Sequence, residues 1–491
     1  MIEALLALAL TFPGMALVDG FARPRSVRVL RRLSGLWLLF CITAIVFGVL
    51  LGLSGNPALA AALTLAIHLL FVFASNAKNR MLGEPLVFTD LALIGSTFRH
   101  PQFYFSVLAA WQKIAGVGAV IVLLAALSWL ARPTLTLAIT GAMVTAIGLV
   151  ASYLSLHLGL FSKLARKPDA AADTAALGLL PSLTLYWLRW RESGTRARLV
   201  EHAPRKPANT EGAANLIVVV QCESFADPVE LFGRPDDALP SLEAARADAI
   251  QWGNLLVSGF GAYTMRTEYG VLFGRDEAAL GFRHYDPYLT AIEDAHYALP
   301  QRLGVDRWQS LFVHPHDMRF YNRNRILPSA GFAEMIGEAH FATKSRGGGR
   351  YVTDEAVADR ILALAGATND PTFVYAVTIE NHGPWAPRGD AKAEVTIANY
   401  NRLVCAGDRM LGQLREGIAQ LARPAILVFF GDHRPSIPGV SIPGGERHTP
   451  YVIVKFDAEG RIITGSNRRI DVTPAQLHHA ILDLEGGHAD R

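Results

Sequence analysis

Five long apolar runs in the first 160 residues decide what this chain can become: 1–18, 36–53, 57–75, 114–131 and 134–156. Each is about 17–25 residues long, the length of helix that crosses a hydrocarbon core of about 30 Å. They are nearly free of charge, so as helices they have no polar face to turn to water, which excludes a soluble bundle. The first run lacks a basic leader and a cleavage site, so it reads as a membrane helix and not as a signal peptide. Charged residues make up 18% of the 491 residues, below the roughly 25% of soluble domains. A net charge of +3 gives no footing for a nucleic-acid partner. Three cysteines, Cys41, Cys222 and Cys405, support neither a disulfide framework nor a cysteine zinc site.

Loop charge leaves the topology open. Arg23, Arg25, Arg28, Arg31 and Arg32 place the first loop in the cytoplasm by the positive-inside rule. With five crossings everything after residue 160 is then cytoplasmic too. A further crossing in 81–98, which holds Glu84 and Asp90 and reads as interfacial or re-entrant, or in 174–189, would move the C-terminal part outside. The expected division is a transmembrane helical domain at 1–159, a junction at 160–212 and a third region at 213–491. The junction contains an amphipathic stretch at 176–190, with Trp187 and Trp190 suited to a membrane interface, and then a Pro/Ala-rich linker.

From residue 213 the pattern changes. Short apolar runs at 216–220, 310–313, 372–379, 425–430 and 451–456 read as buried strands. Segments 352–366, 396–421 and 474–485 carry helical periodicity. This alternation predicts an α/β domain with a mostly parallel central sheet. Ligands of such sheets gather beyond the carboxyl ends of the strands, and reactive residues stand there: Glu223 and Ser224, His314 and His316, Glu380 and His382, Asp432 and His433. His448 comes just before the last run.

Glu223, Asp432 and His433 offer oxygen and imidazole donors to a divalent cation such as Mn²⁺, Mg²⁺ or Zn²⁺. The Gly-rich segment SGFGAYTMRTEYGVLFG (258–274) opens a helix and supplies two candidate nucleophiles, Thr264 and Thr267. A hydroxyl at a helix start lies where backbone N–H groups favour a phosphate. Thr264 reads equally as the helix N-cap.

CESF, GFGAYTMRTEYG, FYNRNR (320–325), TIENHGPW (378–385), GDHRPS (431–436) and HTP (448–450), in this order after about five membrane helices, resemble the lipoteichoic acid synthase family. These are membrane-anchored phosphoglycerol transferases of the alkaline phosphatase/sulfatase superfamily. The resemblance implies an N-terminal transmembrane domain followed by a sulfatase-like catalytic domain. It implies that Glu223, Thr264, Asp432 and His433 bind one divalent metal ion, Mn²⁺ foremost, with Mg²⁺ or Zn²⁺ as alternatives. By the same likeness Thr264 is the threonine that becomes phosphorylated, with Glu268 beyond it. His314, Tyr321 and Arg323 correspond to residues that hold the headgroup, and His382 to a histidine near the reacting oxygen; His382 or His448 would carry the proton. The sequence departs from the family in having Tyr321 in place of a tryptophan and Ala262-Tyr263 in place of a lysine.

The implied donor is phosphatidylglycerol, and the implied acceptor is a hydroxyl of a periplasmic glucan, a teichoic-acid-like polymer or a lipid. The implied location is the cytoplasmic (inner) membrane with the catalytic domain on its outer side. Two alternatives stand beside this reading: a phosphoethanolamine transferase of the same fold, and a non-catalytic membrane-anchored binding protein. A formylglycine sulfatase is excluded, because no C/S-x-P-S-R motif occurs.

Overall fold

The computed structural model describes residues 1–26, 32–93, 110–157, 161–192, 214–342, 349–386, 392–444 and 446–485. The chain divides into two compact units, Met1–Arg196 and Ala197–Arg491. Helices of eight or more residues are labelled below.

The first unit holds α1 (Ile2–Gly20), α2 (Leu33–Ser54), α3 (Pro57–Leu82), α4 (Ala110–Leu130), α5 (Leu135–His157), α6 (Ala170–Leu177) and α7 (Leu179–Arg191). Among them α1, α2, α3 and α5 are long and apolar enough to cross a membrane. The run expected as a fifth crossing is helical within α4, but its apolar stretch, Ile114–Leu130, is shorter. Segment 174–189 does not form one spanning helix: Gly178, at φ 102°, separates α6 from the 13-residue α7. Of segment 81–98, residues 88–93 form a 3₁₀ turn, and Lys78 pairs with both Glu84 (3.0 Å) and Asp90 (2.6 Å). Residues 94–98 of that segment, like Arg28 and Arg31, lie outside the described residues.

Glycines bring α2 and α5 together. A Cβ added to Gly48 would lie 2.7 Å from the Gly141 carbonyl oxygen, and one on Gly141 would lie 2.4 Å from that of Gly48. Small residues let helix backbones approach in lipid, where apolar burial gives no drive for association.

The second unit is built on a nine-stranded sheet. Its strands are β1 (Leu216–Cys222), β2 (Gln251–Leu256), β3 (Gln309–Val313), β4 (Glu334–Ile336), β5 (Thr372–Val377), β6 (Ala425–Gly431), β7 (His448–Phe456), β8 (Ile462–Ile463) and β9 (Arg468–Arg469). The order is β4-β3-β5-β1-β6-β7-β2-β9, with β8 on β7. The pairs from β4 through β6 are parallel, whereas β7 runs antiparallel to both β6 and β2. The expected mostly parallel α/β sheet is therefore present, with an antiparallel flank that the apolar runs did not announce. β1 is buried along its whole length, as a central strand covered on both faces must be.

Helices α8 (Pro240–Asp248), α10 (Asp354–Gly366) and α11 (Ala393–Gln420) cover one sheet face and share a core with Leu216, Val218 and Val220 of β1. Side chains alternate across a strand, so Gln221 points to the other face, where its amide nitrogen donates to the Thr264 carbonyl. That carbonyl belongs to α9 (Thr264–Phe273), which packs on α12 (Pro474–Glu485).

Candidate active site

β1 and β6 are neighbours and end together, Cys222 opposite Gly431. The residues that follow them, Glu223 and Asp432, thus meet although they are far apart in sequence. Ser224 turns the chain at φ 50°, and its N–H donates to Asp432 Oδ1 (2.7 Å), as does the N–H of His433 (2.9 Å). Two backbone donors fix one carboxylate oxygen. The other, Oδ2, is buried with no hydrogen-bond partner. His433 Nδ1 lies 3.1 Å from the Arg434 carbonyl; with the proton on Nδ1, the Nε2 lone pair faces inward. Nε2 is 3.5 Å from Asp432 Oδ2 and 3.6 Å from Glu223 Oε1.

The ligand atoms of Glu223, Asp432 and His433 all lie within 4.8 Å of one another. Two carboxylates and an imidazole this close, one oxygen orphaned, fit a divalent cation. Without it the arrangement is costly: burial, reinforced by the Asp432 carboxylate, pushes the Glu223 carboxyl up to about 8.

Thr264 joins this cluster, its Oγ1 3.5 Å from His433 Nε2. It is the first residue of α9 and not its cap. The cap position is Tyr263, held at φ 78° and making no side-chain cap bond. Gly261, at φ 64°, lets the preceding loop lie against the chain after β6, where an added Cβ would fall 2.2 Å from Ser436 Cβ. Thr267 is committed elsewhere, donating to the Asp432 carbonyl at 2.7 Å. Of the two candidate nucleophiles, Thr264 alone has its hydroxyl turned to the cluster.

The expected headgroup residues form a wall beyond β3 and β5. His314 Nδ1 is 3.0 Å from the Val377 carbonyl, and burial, with Arg323 nearby, holds this imidazole well below its ordinary value. Burial likewise lowers His382, whose Nδ1 is 2.9 Å from the Gly383 carbonyl. Two further residues join this wall: His316, which the sequence places past the strand end without a headgroup role, and Tyr351, which the sequence does not single out. His316 lies 5.9 Å from His314, and Tyr351 lies 6.4 Å from His316 and 6.0 Å from His382, between ring centroids. The two-residue spacing from His314 was the available signal for His316; Tyr351 had none.

Arg323 is fully buried in a two-point ion pair with Glu268: Nε to Oε1 at 3.0 Å and Nη2 to Oε2 at 2.5 Å, with Tyr288 donating to Oε1 at 2.6 Å. Only Nη1 stays outside this pair. Its guanidinium carbon sits 5.3 Å from the centre of the Tyr321 ring. His448 is drawn to the other side, its Nε2 2.6 Å from Glu230 and its carbonyl accepting from Arg434 Nε at 2.8 Å. Glu230, Glu446 and His448 make a second, more exposed group of potential ligands, but the Arg434 guanidinium already pairs with Glu230.

Comparison with known proteins bears on the family and the fold. Residues 215–486, more than half of the chain, match the protein-family model described as Sulfatase. The "Capsular polysaccharide biosynthesis protein RkpI" of Rhizobium meliloti is 29% identical over 469 residues, covering 91% of this chain and 87% of that protein. A "Putative cyclic beta-1,2-glucan modification protein" of the same organism is 26% identical over 324 residues, 60% of this chain and 50% of that protein. Among solved structures, the integral membrane lipooligosaccharide phosphoethanolamine transferase A (EptA) from Neisseria meningitidis is similar in fold across both units. Its TM-score is 0.51 at 13% identity, with 99% of this chain and 95% of that one covered.

Proposed function

Because this chain belongs to the sulfatase family, we propose that it is a membrane-bound, metal-dependent phosphoglycerol transferase. It takes the glycerophosphate headgroup of phosphatidylglycerol and passes it, through Thr264, to an acceptor hydroxyl. The observation that carries this reading is the convergence of Glu223, Asp432 and His433 on one another with the Thr264 hydroxyl beside them.

Glu223, Asp432, His433 and Thr264 would hold one divalent cation, Mn²⁺ foremost, which supplies neutralising charge and makes a hydroxyl more acidic. Thr264 Oγ1 attacks the phosphorus of the lipid diester, the bond to the glycerol oxygen of diacylglycerol breaks, and diacylglycerol leaves with a proton. The first turn of α9 presents backbone N–H groups to the phosphoryl oxygens. Burial lowers His382 from its ordinary value, which favours the neutral imidazole that can carry a proton at the reacting oxygen. The headgroup rests against His314, Tyr321 and Tyr351, with Arg323 Nη1 supplying positive charge.

The wall also bears on the headgroup. Among the described residues of 314–323 the one carboxylate, Asp317, is paired with Arg319. Imidazoles, phenols and an arginine suit a neutral polyol better than an ammonium group. The names of the two Rhizobium relatives point to a glycan as acceptor. In this reading the catalytic unit works on the outer side of the cytoplasmic membrane, where a glycan of the cell envelope would meet it. Apolar helices then keep the enzyme in the bilayer to which its lipid donor is confined.

The test is to incubate the purified full-length protein with headgroup-labelled phosphatidylglycerol and Mn²⁺ and to map the label. Label on Thr264, absent in Thr264→Ala, is the expected result. Label persisting in that variant moves the nucleophile elsewhere. Stronger labelling from phosphatidylethanolamine in a parallel reaction overturns the headgroup.

A further inference from the structure

The cluster sits at the ends of β1 and β6, in the middle of the sheet, and its two flanks differ. Toward β5 and β3 stand the rings of His314, His316, Tyr351 and His382. Toward β7 and β2 the sheet turns antiparallel, so the first residue of β7, His448, and the last of β2, Leu256, come to the same end of the sheet as Asp432. Two cavities open there. One, of about 700 Å³, reaches Thr267, one turn along α9 from Thr264, and is lined by Ser258, Arg275, Glu277 and Arg447. The other, of about 820 Å³, is lined by Glu230, Trp252, Asn254 and Arg469. Glu446 and His448 line both, so the two adjoin. Arg434, next to His433, ties this region to the cluster by donating to the His448 carbonyl and pairing with Glu230.

We propose that these adjoining cavities form one groove that binds the acceptor as a neutral, polyhydroxylated chain. This rests on the transferase reading above. A two-substrate transfer through one threonine needs a second approach to the same phosphorus, and the β3/β5 flank is taken by the headgroup wall. The lining decides the chemistry. Six acids, Glu230 and Glu277 among them, and five arginines, Arg447 and Arg469 among them, line it in near balance. Such a surface offers donors and acceptors to hydroxyl groups and has no excess charge to draw in an anionic lipid. The Trp252 ring lines the groove with the guanidiniums of Arg246 (5.6 Å) and Arg469 (5.1 Å) over it. In the second half-reaction an acceptor hydroxyl oxygen bonds to phosphorus, the bond from phosphorus to Thr264 Oγ1 breaks, and the hydroxyl proton ends on that oxygen. The threonine is thereby restored.

The experiment uses the full-length protein, headgroup-labelled phosphatidylglycerol, Mn²⁺ and a neutral glucan oligosaccharide as the acceptor probe. Glu277→Ala and Arg469→Ala alter one exposed residue in each cavity. In each, the ratio of label on glucan to label on Thr264 should fall about tenfold. Calorimetric binding of the oligosaccharide should weaken about tenfold, and Tyr351→Ala, on the other flank, should leave that binding unchanged. Unaltered ratio and affinity in both groove variants overturns the groove, as does loss of glucan binding in Tyr351→Ala alone. A wild-type protein that forms no Thr264 adduct overturns the transferase reading instead. Calorimetry decides the groove in either case.

Discussion

The two units solve opposite packing problems. In the helical unit large apolar side chains face outward: Leu10 and Leu135 are each 78% exposed and Trp129 75%. Its small and polar groups are inside, including Thr43, Thr64, Ser75 and the buried His68 beside Asp19 at 3.6 Å. In the sheet unit the apolar side chains of β1, β5 and β6 are buried, and polar groups meet where those strands stop. A lipid solvent permits the first arrangement and water requires the second. The lesson concerns where buried charge is tolerated. In the helical unit it is held as small groups such as Lys78 with Glu84 and Asp90; in the sheet unit, besides buried pairs such as Arg283–Asp294, two carboxylates and an imidazole meet at one point that a cation and a phosphoryl group would complete.

Four tests probe this contrast. The largest effect is expected at the point of concentration. Thr264→Ala should lower transfer on the order of 10³-fold or more, because the Ser224 hydroxyl, also at the cluster, is committed to Glu223 Oε1 at 2.8 Å, and steady-state release of diacylglycerol measures it. Next is the buried ion pair behind the site. Arg323→Met leaves the Glu268 carboxylate buried without its cation and should cost about 3–5 kcal/mol of stability, read by denaturant unfolding. The double variant Arg323→Met/Glu268→Leu should recover most of that loss without recovering activity.

The third test compares the two solvents directly. Ile147→Lys, on a 65% exposed position of α5, should cost about 2.5–3.5 kcal/mol in membrane insertion if that surface faces lipid. Leu289→Lys, 41% exposed in the sheet unit, should stay within about 0.5 kcal/mol because its surface faces water. Equal costs would erase the distinction between the units. The last effect, read one pH unit at a time, concerns a buried neutral histidine. His478 donates toward the Val271 carbonyl (3.0 Å), and burial lowers it from 6.5 to about 3. Between those values the unfolded chain holds the proton and the native one does not, so stability falls as pH falls, by up to about 1.4 kcal/mol per unit. His478→Gln should flatten the acid limb of a pH series of melting temperatures.

Much of this architecture is legible in the sequence because strands buried on both faces must be continuous apolar runs. β1, β3, β5 and β6 were visible for that reason, and with them Glu223, His314, His382 and Asp432 just past their ends. β2 was not, because QWGNLL lies at the flank and is buried only at alternate residues. β7 begins at His448, so HTP is part of the strand and not its approach. The partner of Arg323 was hidden for another reason: residue type marks a cation suited to phosphate, while only the fold reveals that Glu268 has taken two of its nitrogens. Thr264 and Thr267, alike in sequence, are told apart by the single bond from Thr267 to the Asp432 carbonyl.

The most direct measurement is anomalous X-ray scattering from crystals of the protein soaked in Mn²⁺. The account predicts one strong peak within about 2–2.5 Å of Glu223, Asp432 and His433, next to the Thr264 hydroxyl, and no such peak in Asp432→Asn. A peak at Glu230, Glu446 and His448 with none beside Thr264 would contradict it.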